Sequence, residues 1–327
     1  MIGPFARVRR ALHRTGLLGS GSLPRPVVSL GNLTVGGTGK TPHVQFLARW
    51  LSARGVKVAI LSRGYGRRSR GVVWASGDPP APAVEVGDEP ALLARTLPGV
   101  PVVVGESRLE AGREALRLRE VDAFLLDDGF QHLSLRRDAD ILLVDGIRGL
   151  GNGRTLPFGL LREPPDHARF ADALVVTRCA DASQGERIAA TLPFPAGRPV
   201  AATRFVPRSL VDGEGRETAL PPPGAEVAAF AGLARNDQFE STLRACGLRV
   251  KKFLGFGDHH RYGPRDIRII EAASEGLPVL TTEKDLVRLP ADLPFRPWAL
   301  RIGVEFLSGW ETLSRLVLER IGEGAAR

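Results

Sequence analysis

Thr34-Val35-Gly36-Gly37-Thr38-Gly39-Lys40-Thr41 is a glycine-rich segment from which the architecture of this chain can be worked out. It follows a short apolar run, Pro26 to Leu30, and precedes a helical stripe of apolar residues over positions 44–51. In such a place small residues let backbone N–H groups surround phosphates, and the helix N-terminus adds a partial positive charge. Lys40 would reach the β- and γ-phosphate oxygens, and Thr41 would hold Mg²⁺. The segment therefore predicts a phosphate-binding loop between a strand and a helix.

The first position of this loop departs from the pattern GxxxxGK[ST], because Thr34 stands where glycine is usual. Threonine resists a positive φ, so the chain must enter the loop differently, and Gly36 and Gly37 are able to provide that entry. The alternative is a glycine-rich turn in which the sequence GKT arose by chance. The strand before it and the helix after it favour the phosphate-binding loop.

Short apolar runs, separated by polar turns and helical stretches, continue on the C-terminal side of this loop. The runs are Val56 to Leu61, Val100 to Val104, Ala123 to Leu126, Ile141 to Val144 and Ala173 to Val176, and the main helical stretches are Glu89 to Arg95, Ser107 to Arg119 and Gln184 to Thr191. Continuous apolar runs are typical of parallel strands covered on both faces. The sequence predicts an α/β fold with a doubly wound, mostly parallel sheet, similar to that of P-loop NTPases.

A stretch rich in glycine, proline and charge, Pro207 to Pro223, interrupts this alternation. Strands follow near Val227 to Ala231, Val250 to Leu254, Val279 to Thr282 and Trp298 to Val304, with helices near Asp237 to Cys246, Pro264 to Glu275 and Trp310 to Ile321. We therefore predict a basic amphipathic segment over 1–25 and a nucleotide-binding domain over 26–206. A linker over 207–223 would lead to a second, smaller α/β domain over 224–327.

The composition is that of an ordinary globular protein, with 43% hydrophobic and 25% charged residues among 327. Cys179 and Cys246 lie far apart and outside any metal-binding spacing, so neither a disulfide framework nor a zinc site is indicated. The net charge of +9 suits phosphate, nucleic acid or anionic lipid. The sequence lacks basic residues interleaved with stacking aromatics, so we expect no nucleic-acid partner.

The N-terminal stretch from Pro4 to Leu18 combines apolar residues at helical spacing, Phe5, Val8 and Leu12, with several arginines. Its apolar part is too broken for a signal peptide, and no apolar run of the chain approaches the ~20 residues of a spanning helix. The pattern is consistent with a helix adsorbed on an anionic membrane surface. A basic first helix without that role is the alternative.

Two carboxylates end an apolar run in the sequence Leu125-Leu126-Asp127-Asp128-Gly129-Phe130-Gln131-His132. Ligands collect at the carboxyl ends of parallel strands, so a carboxylate at this position would face the Mg²⁺ of a bound nucleotide. Adjacent side chains on a strand point to opposite faces, so we expect one of Asp127 and Asp128 to approach the metal directly. An Asx turn that closes the strand is the alternative.

Two further clusters, Gly87-Asp88-Glu89-Pro90 and Phe256-Gly257-Asp258-His259-His260, contain residues suited to proton transfer. An enzyme that phosphorylates a hydroxyl needs a group to take its proton, and an aspartate or an Asp/His pair can do so. A helix cap at Asp88 and a turn at Asp258 are the alternatives. Spacing alone does not show whether the two clusters meet.

Seven motifs together resemble, in order, those of the lipid A disaccharide 4′-kinases, or tetraacyldisaccharide 4′-kinases. They are SLGNLTVGGTGKTP (Ser29 to Pro42), LSRGYG (Leu61 to Gly66), GDEP (Gly87 to Pro90), LLDDGFQH (Leu125 to His132), LLREP (Leu160 to Pro164), FGDHH (Phe256 to His260) and TTEKD (Thr281 to Asp285). The resemblance runs from Pro26 to the C-terminus. It implies transfer of the ATP γ-phosphate to the 4′-hydroxyl of a tetraacyldisaccharide 1-phosphate, a lipid A precursor, at the cytoplasmic face of the inner membrane.

The resemblance also implies a site made by both domains, with residues 224–327 closing over an ATP-binding kinase domain. Asp88 would be the catalytic base, His259 its partner and Lys40 a catalytic phosphate-binding cation. ATP would be bound by Thr34, Gly36, Gly37, Thr38, Gly39, Lys40, Thr41, Gln131, His132 and Arg162. Mg²⁺ would be held by Thr41, Glu89, Asp127, Asp128 and Glu163.

One feature departs from that family, whose members commonly begin with a longer hydrophobic helix. Here we expect peripheral, reversible membrane adsorption instead. The alternative function is a membrane-associated P-loop nucleotide switch or ATPase without lipid kinase activity. A GTP switch is disfavoured, because the nearest candidate for its guanine-binding NKxD element, Thr177 to Asp181, lacks the Asn and Lys.

Overall fold

The structure is a computed structural model that describes residues 2–325, with side chains described for residues 3–322. The helices are α1 (Ile2–Arg14), α2 (Lys40–Ser52), α3 (Ala83–Val86), α4 (Asp88–Thr96), α5 (Arg108–Leu118), α6 (Ala182–Ala190), α7 (Asn236–Ala245), α8 (Pro264–Ser274), α9 (Glu283–Leu286) and α10 (Trp310–Ala325), with a 3₁₀ helix at Pro165–Phe170. The strands are β1 (Val27–Asn32), β2 (Val58–Ser62), β3 (Val73–Trp74), β4 (Val102–Val104), β5 (Ala123–Asp127), β6 (Ala139–Asp145), β7 (Ala173–Thr177), β8 (Val200–Val211), β9 (Glu217–Thr218), β10 (Glu226–Ala231), β11 (Arg249–Gly255), β12 (Val279–Thr282) and β13 (Pro297–Ser308).

Across residues 2–325 the strands form one thirteen-stranded sheet in the order β11-β10-β12-β13-β8-β7-β6-β1-β5-β2-β4-β3, with β9 on β8. Strands β1, β2 and β4 to β7 pair in parallel with each other and with the start of β8; we call this the first half. Strands β10 to β13 pair in parallel and form the second half. The predicted α/β fold with a mostly parallel sheet is confirmed.

The two halves join through β8 and β13, which are antiparallel along most of their length. Strand β7 pairs with β8 at residues 200–202, whereas β12 pairs with β13 at residues 297–300, opposite the far end of β8. The strands of each half therefore run toward the other half. As a result the two carboxyl edges, where parallel sheets carry their ligands, face one another.

The predicted linker differs from the structure in its first part. Residues 207–211 are the end of β8 and pair with β13, and β9 lies within the remainder. Glycine, proline and charge had suggested an irregular connection, but the backbone here completes its hydrogen bonds against β13. The connection between the halves is thus a strand pair.

Helix α10 follows the second half in sequence but packs on the first. Leu313, Val317 and Ile321 belong to the same buried cluster as Val28 and Val44, from β1 and α2. The Trp310 ring lies edge-on to Trp50 with 4.9 Å between ring centroids. Residues 224–327 are therefore not packed as one separate unit, because the apolar face of α10 covers the first half.

Helix α1 confirms the helix expected at the N-terminus. Phe5 and Val8 remain exposed, at 68% and 58%, whereas Ala6 and Arg10 on another face are buried. None of the helices within residues 2–325 has the length and apolar character needed to cross a membrane.

Candidate active site

The phosphate-binding loop connects β1 to α2, as expected. Gly36 and Gly39 have left-handed φ values of 96° and 82°, whereas Gly37 does not need a positive φ. A Cβ atom on Gly39 would also lie 2.2 Å from Cζ of Phe205, so this position requires glycine twice over. Of the two glycines expected to provide the entry, Gly36 has the positive φ and Gly37 does not.

Two carbonyl groups of this loop accept hydrogen bonds from side chains outside the loop. Thr177 donates its hydroxyl to the Thr38 carbonyl at 2.9 Å, and Arg178 donates to the Gly37 carbonyl at 2.8 Å. Within residues 2–325 the amide N–H groups of Gly36, Gly37 and Thr38 have no protein acceptor. The loop therefore presents free donors, which is the arrangement that binds phosphate oxygens. In the sequence, Thr177 and Arg178 stood out only as part of a poor guanine-binding element, so their support of the loop carbonyl groups was not predicted.

Lys40 begins α2 and lies among polar side chains. Its Nζ is 3.4 Å from Asn32 Oδ1 and 3.5 Å from Asp128 Oδ1. Arg162 grips the same Asp128 carboxylate with two hydrogen bonds of 2.8 Å and also donates to Asn32 Oδ1. Arg162 is brought there because its backbone N–H bonds to the Leu33 carbonyl at the loop entry. Burial alone would raise the pKa of Asp128, but Arg162 and Lys40 together hold it well below its usual value.

Asp127 and Asp128 are neighbours with opposite environments. Asp128 takes a left-handed φ of 54° at the end of β5 and turns toward Arg162. Asp127 stays on the strand, fully buried, and its Oδ2 accepts a 3.2 Å hydrogen bond from Ser62. Its other oxygen, Oδ1, is buried with no partner. Burial, together with the charges of Glu89 and Asp128, raises the pKa of Asp127 to about 7.

A buried carboxylate oxygen without a donor suits a cation, and carboxylates and hydroxyls are the oxygen ligands of Mg²⁺. Asp127 therefore fits such an ion, and the part of Thr41, the residue after Lys40, stays a prediction. Within residues 2–325 there is no group of three or more His, Cys, Asp or Glu side chains placed to hold a metal.

Two other residues expected at the metal form ion pairs with basic side chains. Glu89 pairs with Lys284 of the second half at 2.8 Å, and the charge of Lys284 is the main reason that its pKa is lowered. Glu163 is buried against Arg10 at 2.7 Å and His167 at 3.1 Å. Sequence spacing did not reveal this buried ion pair, and a role of Glu163 at the metal stays a prediction.

Gln131 and His132 continue from the acidic pair. Gln131 donates its side-chain amide to the Asn32 carbonyl at 2.9 Å, which ties this segment to the end of β1. His132 contacts Ser134 at 3.1 Å, and its pKa is lowered to about 3 by burial and by the surrounding arginines, Arg108 foremost. Both residues thus border the site, and their contact with a nucleotide stays a prediction.

Arg108 is a residue that sequence analysis missed. It begins α5, is 4% exposed, and its Nε has no partner among the described residues. Burial lowers its pKa to about 10 and Arg63 adds to this, while Asp127 and Asp128 act in the opposite direction. A buried cation without a carboxylate contact lies beside the acidic pair, where an anion would satisfy it.

The clusters around Asp88 and His259 meet across the two carboxyl edges. Asp88 Oδ2 lies 2.8 Å from Nδ1 of His259, although 171 positions separate the two residues. The same oxygen accepts a 2.8 Å hydrogen bond from Nε of Arg288, which sequence analysis did not single out. Burial would raise the pKa of Asp88, but His259 and Arg288 together lower it.

Arg288 is itself held firmly. It donates to the Gly232 carbonyl at 3.0 Å and to Asp285 Oδ1 at 3.2 Å, and Asp285 also accepts from the Tyr262 hydroxyl at 2.9 Å. Lys284 lies in α9, and Arg288 stands four residues later in the turn that follows this helix. That spacing beyond the motif TTEKD was the signal available in the sequence.

The sheet and the loop place this chain among the P-loop nucleotide-binding α/β proteins. The family model described as "Tetraacyldisaccharide-1-P 4'-kinase" matches residues 1–322. A relative named tetraacyldisaccharide 4'-kinase from Anaeromyxobacter dehalogenans is 44% identical over 322 residues, covering 94% of this chain and 85% of the relative. One of the same name from Geobacter sulfurreducens is 43% identical, covering 90% and 83%.

A solved structure is similar over nearly the whole length. It is LpxK from Aquifex aeolicus, described as an "apo" form in complex with ATP, with a TM-score of 0.79 and 36% identity. The likeness covers 98% of this chain and 96% of that one. The chain therefore belongs to the tetraacyldisaccharide-1-P 4'-kinase family.

Proposed function

We propose that this chain performs the reaction for which its family is named, within lipid A biosynthesis. It transfers the γ-phosphate of ATP to the 4′-hydroxyl of a tetraacyldisaccharide 1-phosphate. The observation that carries this proposal is the contact of Asp88 with His259 and Arg288 beside the phosphate-binding loop. Asp88 belongs to the first half, whereas His259 and Arg288 belong to the second, so this contact forms only when the two halves face each other. A reaction between two substrates requires that both be held in one cleft in this way.

The phosphates of ATP would lie on the free amide groups of residues 36–38 and against Lys40. Arg162, now engaged with Asp128, adds a second cation near these phosphates. Phosphoryl transfer demands mainly alignment and neutralisation of charge, which these groups supply. Arg108 offers a further buried positive charge to the anionic groups of the reaction.

Thr41 and Asp127 are the residues that would hold Mg²⁺, for the reasons of fit given above. The bound ion neutralises charge on the β- and γ-phosphate oxygens. Glu89 is a candidate only if its contact with Lys284 opens. Asp128 is a weaker candidate than Asp127, because both of its oxygens already accept from Arg162.

Asp88 would receive the acceptor's proton. Its lowered pKa keeps it ionised at neutral pH, so it can accept a hydrogen bond from the 4′-hydroxyl. As the oxygen of that hydroxyl bonds to the γ-phosphorus, the bond from phosphorus to the β-phosphate oxygen breaks and ADP leaves, while the proton passes to Asp88. His259 and Arg288 orient the carboxylate throughout.

Helix α1 is the part of the chain suited to meet the lipid layer. Its exposed Phe5 and Val8 lie among arginines, a combination that adsorbs reversibly on anionic bilayers. We infer a peripheral location at the cytoplasmic face of the inner membrane, where the acyl chains of the acceptor would also draw the enzyme.

The decisive measurement is analysis of the product after incubation with radiolabelled ATP, Mg²⁺ and the lipid A precursor in mixed micelles. We expect label on the 4′ position of the lipid and ADP release that depends on the lipid. Steady ATP hydrolysis that is the same without the lipid would instead support the nucleotide switch.

Lys40→Ala is the matched loss-of-function variant for this assay, because Lys40 is the loop cation. We expect at least a thousandfold loss of lipid phosphorylation. Lys57→Ala is its control, since Lys57 forms an exposed pair with Glu120 and should leave the rate unchanged. Near-normal turnover of Lys40→Ala would contradict the phosphate-binding assignment.

A further inference from the structure

Helix α1 inserts a charged side chain into the protein interior. Arg10 is 4% exposed, and its guanidinium bonds to the Glu163 carboxylate at 2.7 Å. The same guanidinium lies over the rings of Phe130 and Phe170, 4.7 Å and 5.1 Å from their centroids. A buried and aromatic-flanked ion pair of this kind is costly to form and is held in a single geometry.

Arg10 bonds to two segments that both reach the phosphate site. It donates to the Phe130 carbonyl at 3.0 Å, two residues beyond Asp128. Its partner Glu163 directly follows Arg162, the residue that grips Asp128. Arg10 therefore spans the backbone on both sides of the Arg162–Asp128 pair.

The neighbouring Arg9 reinforces this connection. It donates to the Gln131 carbonyl, and Gln131 in turn donates to the Asn32 carbonyl at the end of β1. Asn32 holds Thr38 of the phosphate-binding loop through a 2.9 Å hydrogen bond. A continuous set of hydrogen bonds thus runs from α1 to the loop.

We propose that Arg10 is a positioning residue of the nucleotide site, through which α1 sets the Arg162–Asp128 pair beside Lys40. This inference rests on the proposed function for its importance but concerns ATP binding alone. It makes the N-terminal helix a working part of the site as well as the candidate membrane contact. Residues that orient a ligand-binding group from behind commonly change affinity by ten- to a hundredfold when removed.

The test compares Arg10→Met with Arg7→Met in the full-length protein. Arg7 is the matched control, because it lies on the same helix and pairs through two hydrogen bonds with Asp166, yet contacts neither segment of the site. Binding of a non-hydrolysable ATP analogue with Mg²⁺ is measured by calorimetry, and docking of α1 by amide hydrogen exchange. We expect about tenfold weaker analogue binding for Arg10→Met, less than twofold for Arg7→Met, and partial recovery in Arg10→Lys.

Arg10→Met with Glu163→Gln separates positioning from simple destabilisation. The double variant has no buried carboxylate that lacks its arginine partner, so we expect its thermal stability to recover while its affinity for the analogue stays low. Recovery of both would overturn the proposal, as would equal affinities of the Arg10 and Arg7 variants. Binding of the ATP analogue needs no lipid acceptor. This test therefore decides the role of Arg10 even if the proposed lipid kinase reaction is not observed.

Discussion

The phosphate-binding loop and the junction around Asp88 serve the same cleft but are built in different ways. The loop is one continuous segment, Asn32 to Thr41, with left-handed glycines at Gly36 and Gly39, and Thr177 and Arg178 of the first half support it. The junction joins Asp88 to Arg288 across 200 positions of sequence. The loop can exist in the first half alone, whereas the junction exists only when both carboxyl edges face each other.

This difference teaches that nucleotide binding and phosphate transfer have separable structural origins. Changes at the junction should alter the transfer step and spare ATP binding. Changes at the carboxylate beside the loop should alter how the site responds to cations and pH. Three further variants test this separation, in addition to Lys40→Ala and Arg10→Met.

Of these three variants, Asp88→Asn should have the largest effect. Removing the proton acceptor lowers kcat by about a hundred- to a thousandfold, while affinity for an ATP analogue changes by less than about twofold because no loop contact is lost. Steady-state kinetics and calorimetry give the two numbers. Asp237→Asn is the control, since Asp237 is an exposed aspartate at the start of α7 that pairs with Arg235 at 3.3 Å. Unaltered kcat in Asp88→Asn would leave Asp88 as a helix residue without a chemical role.

Arg288→Met should act more mildly and through pH. Arg288 helps to lower the pKa of Asp88, so its removal raises that pKa and the carboxylate becomes protonated at higher pH. The acid limb of the kcat profile should then move to higher pH by about one unit. At neutral pH we expect a roughly tenfold lower kcat, because Arg288 no longer orients the Asp88 carboxylate. Arg288→Lys keeps the charge and should restore most of the profile. A profile that does not move would separate Arg288 from the proton acceptor.

Asp127→Asn should have the smallest effect, on stability without nucleotide or metal. The pKa of Asp127 in the folded protein, about 7, lies above its unfolded value, so the folded state binds more protons between about pH 4 and 7. The contribution of Asp127 to the unfolding free energy of the wild type therefore falls as pH rises through this range. Asparagine removes that loss, and we expect its melting temperature to exceed that of the wild type by about 2–5 °C at pH 8 and to match it near pH 5. Equal melting temperatures at pH 8 would show that the carboxyl is not strained by burial.

Sequence reasoning succeeded where structure depends on neighbours along the chain. Most of the parallel strands and the longer helices, the positive φ at Gly36 and the acidic pair at the end of β5 were predicted from local pattern, whereas β3, β8 and β9 were not. It was less successful where one charge meets another from a distant segment. Glu163 matched a family motif, yet only the docking of α1 shows that Arg10 occupies its carboxylate.

What the amino-acid sequence determined by itself is the phosphate-binding loop and the parallel sheet beneath it, because backbone conformation and apolar periodicity are local properties. Tertiary structure decided which carboxylates are free. Asp127 keeps an unpartnered oxygen, Asp128 is gripped by Arg162, and Asp88 is shared between His259 and Arg288. The physical reason is that the pKa of a carboxyl group, and whether its oxygens are available to a ligand, depend on burial and on the opposite charges within a few ångströms. Both are set by segments that meet only in the folded chain.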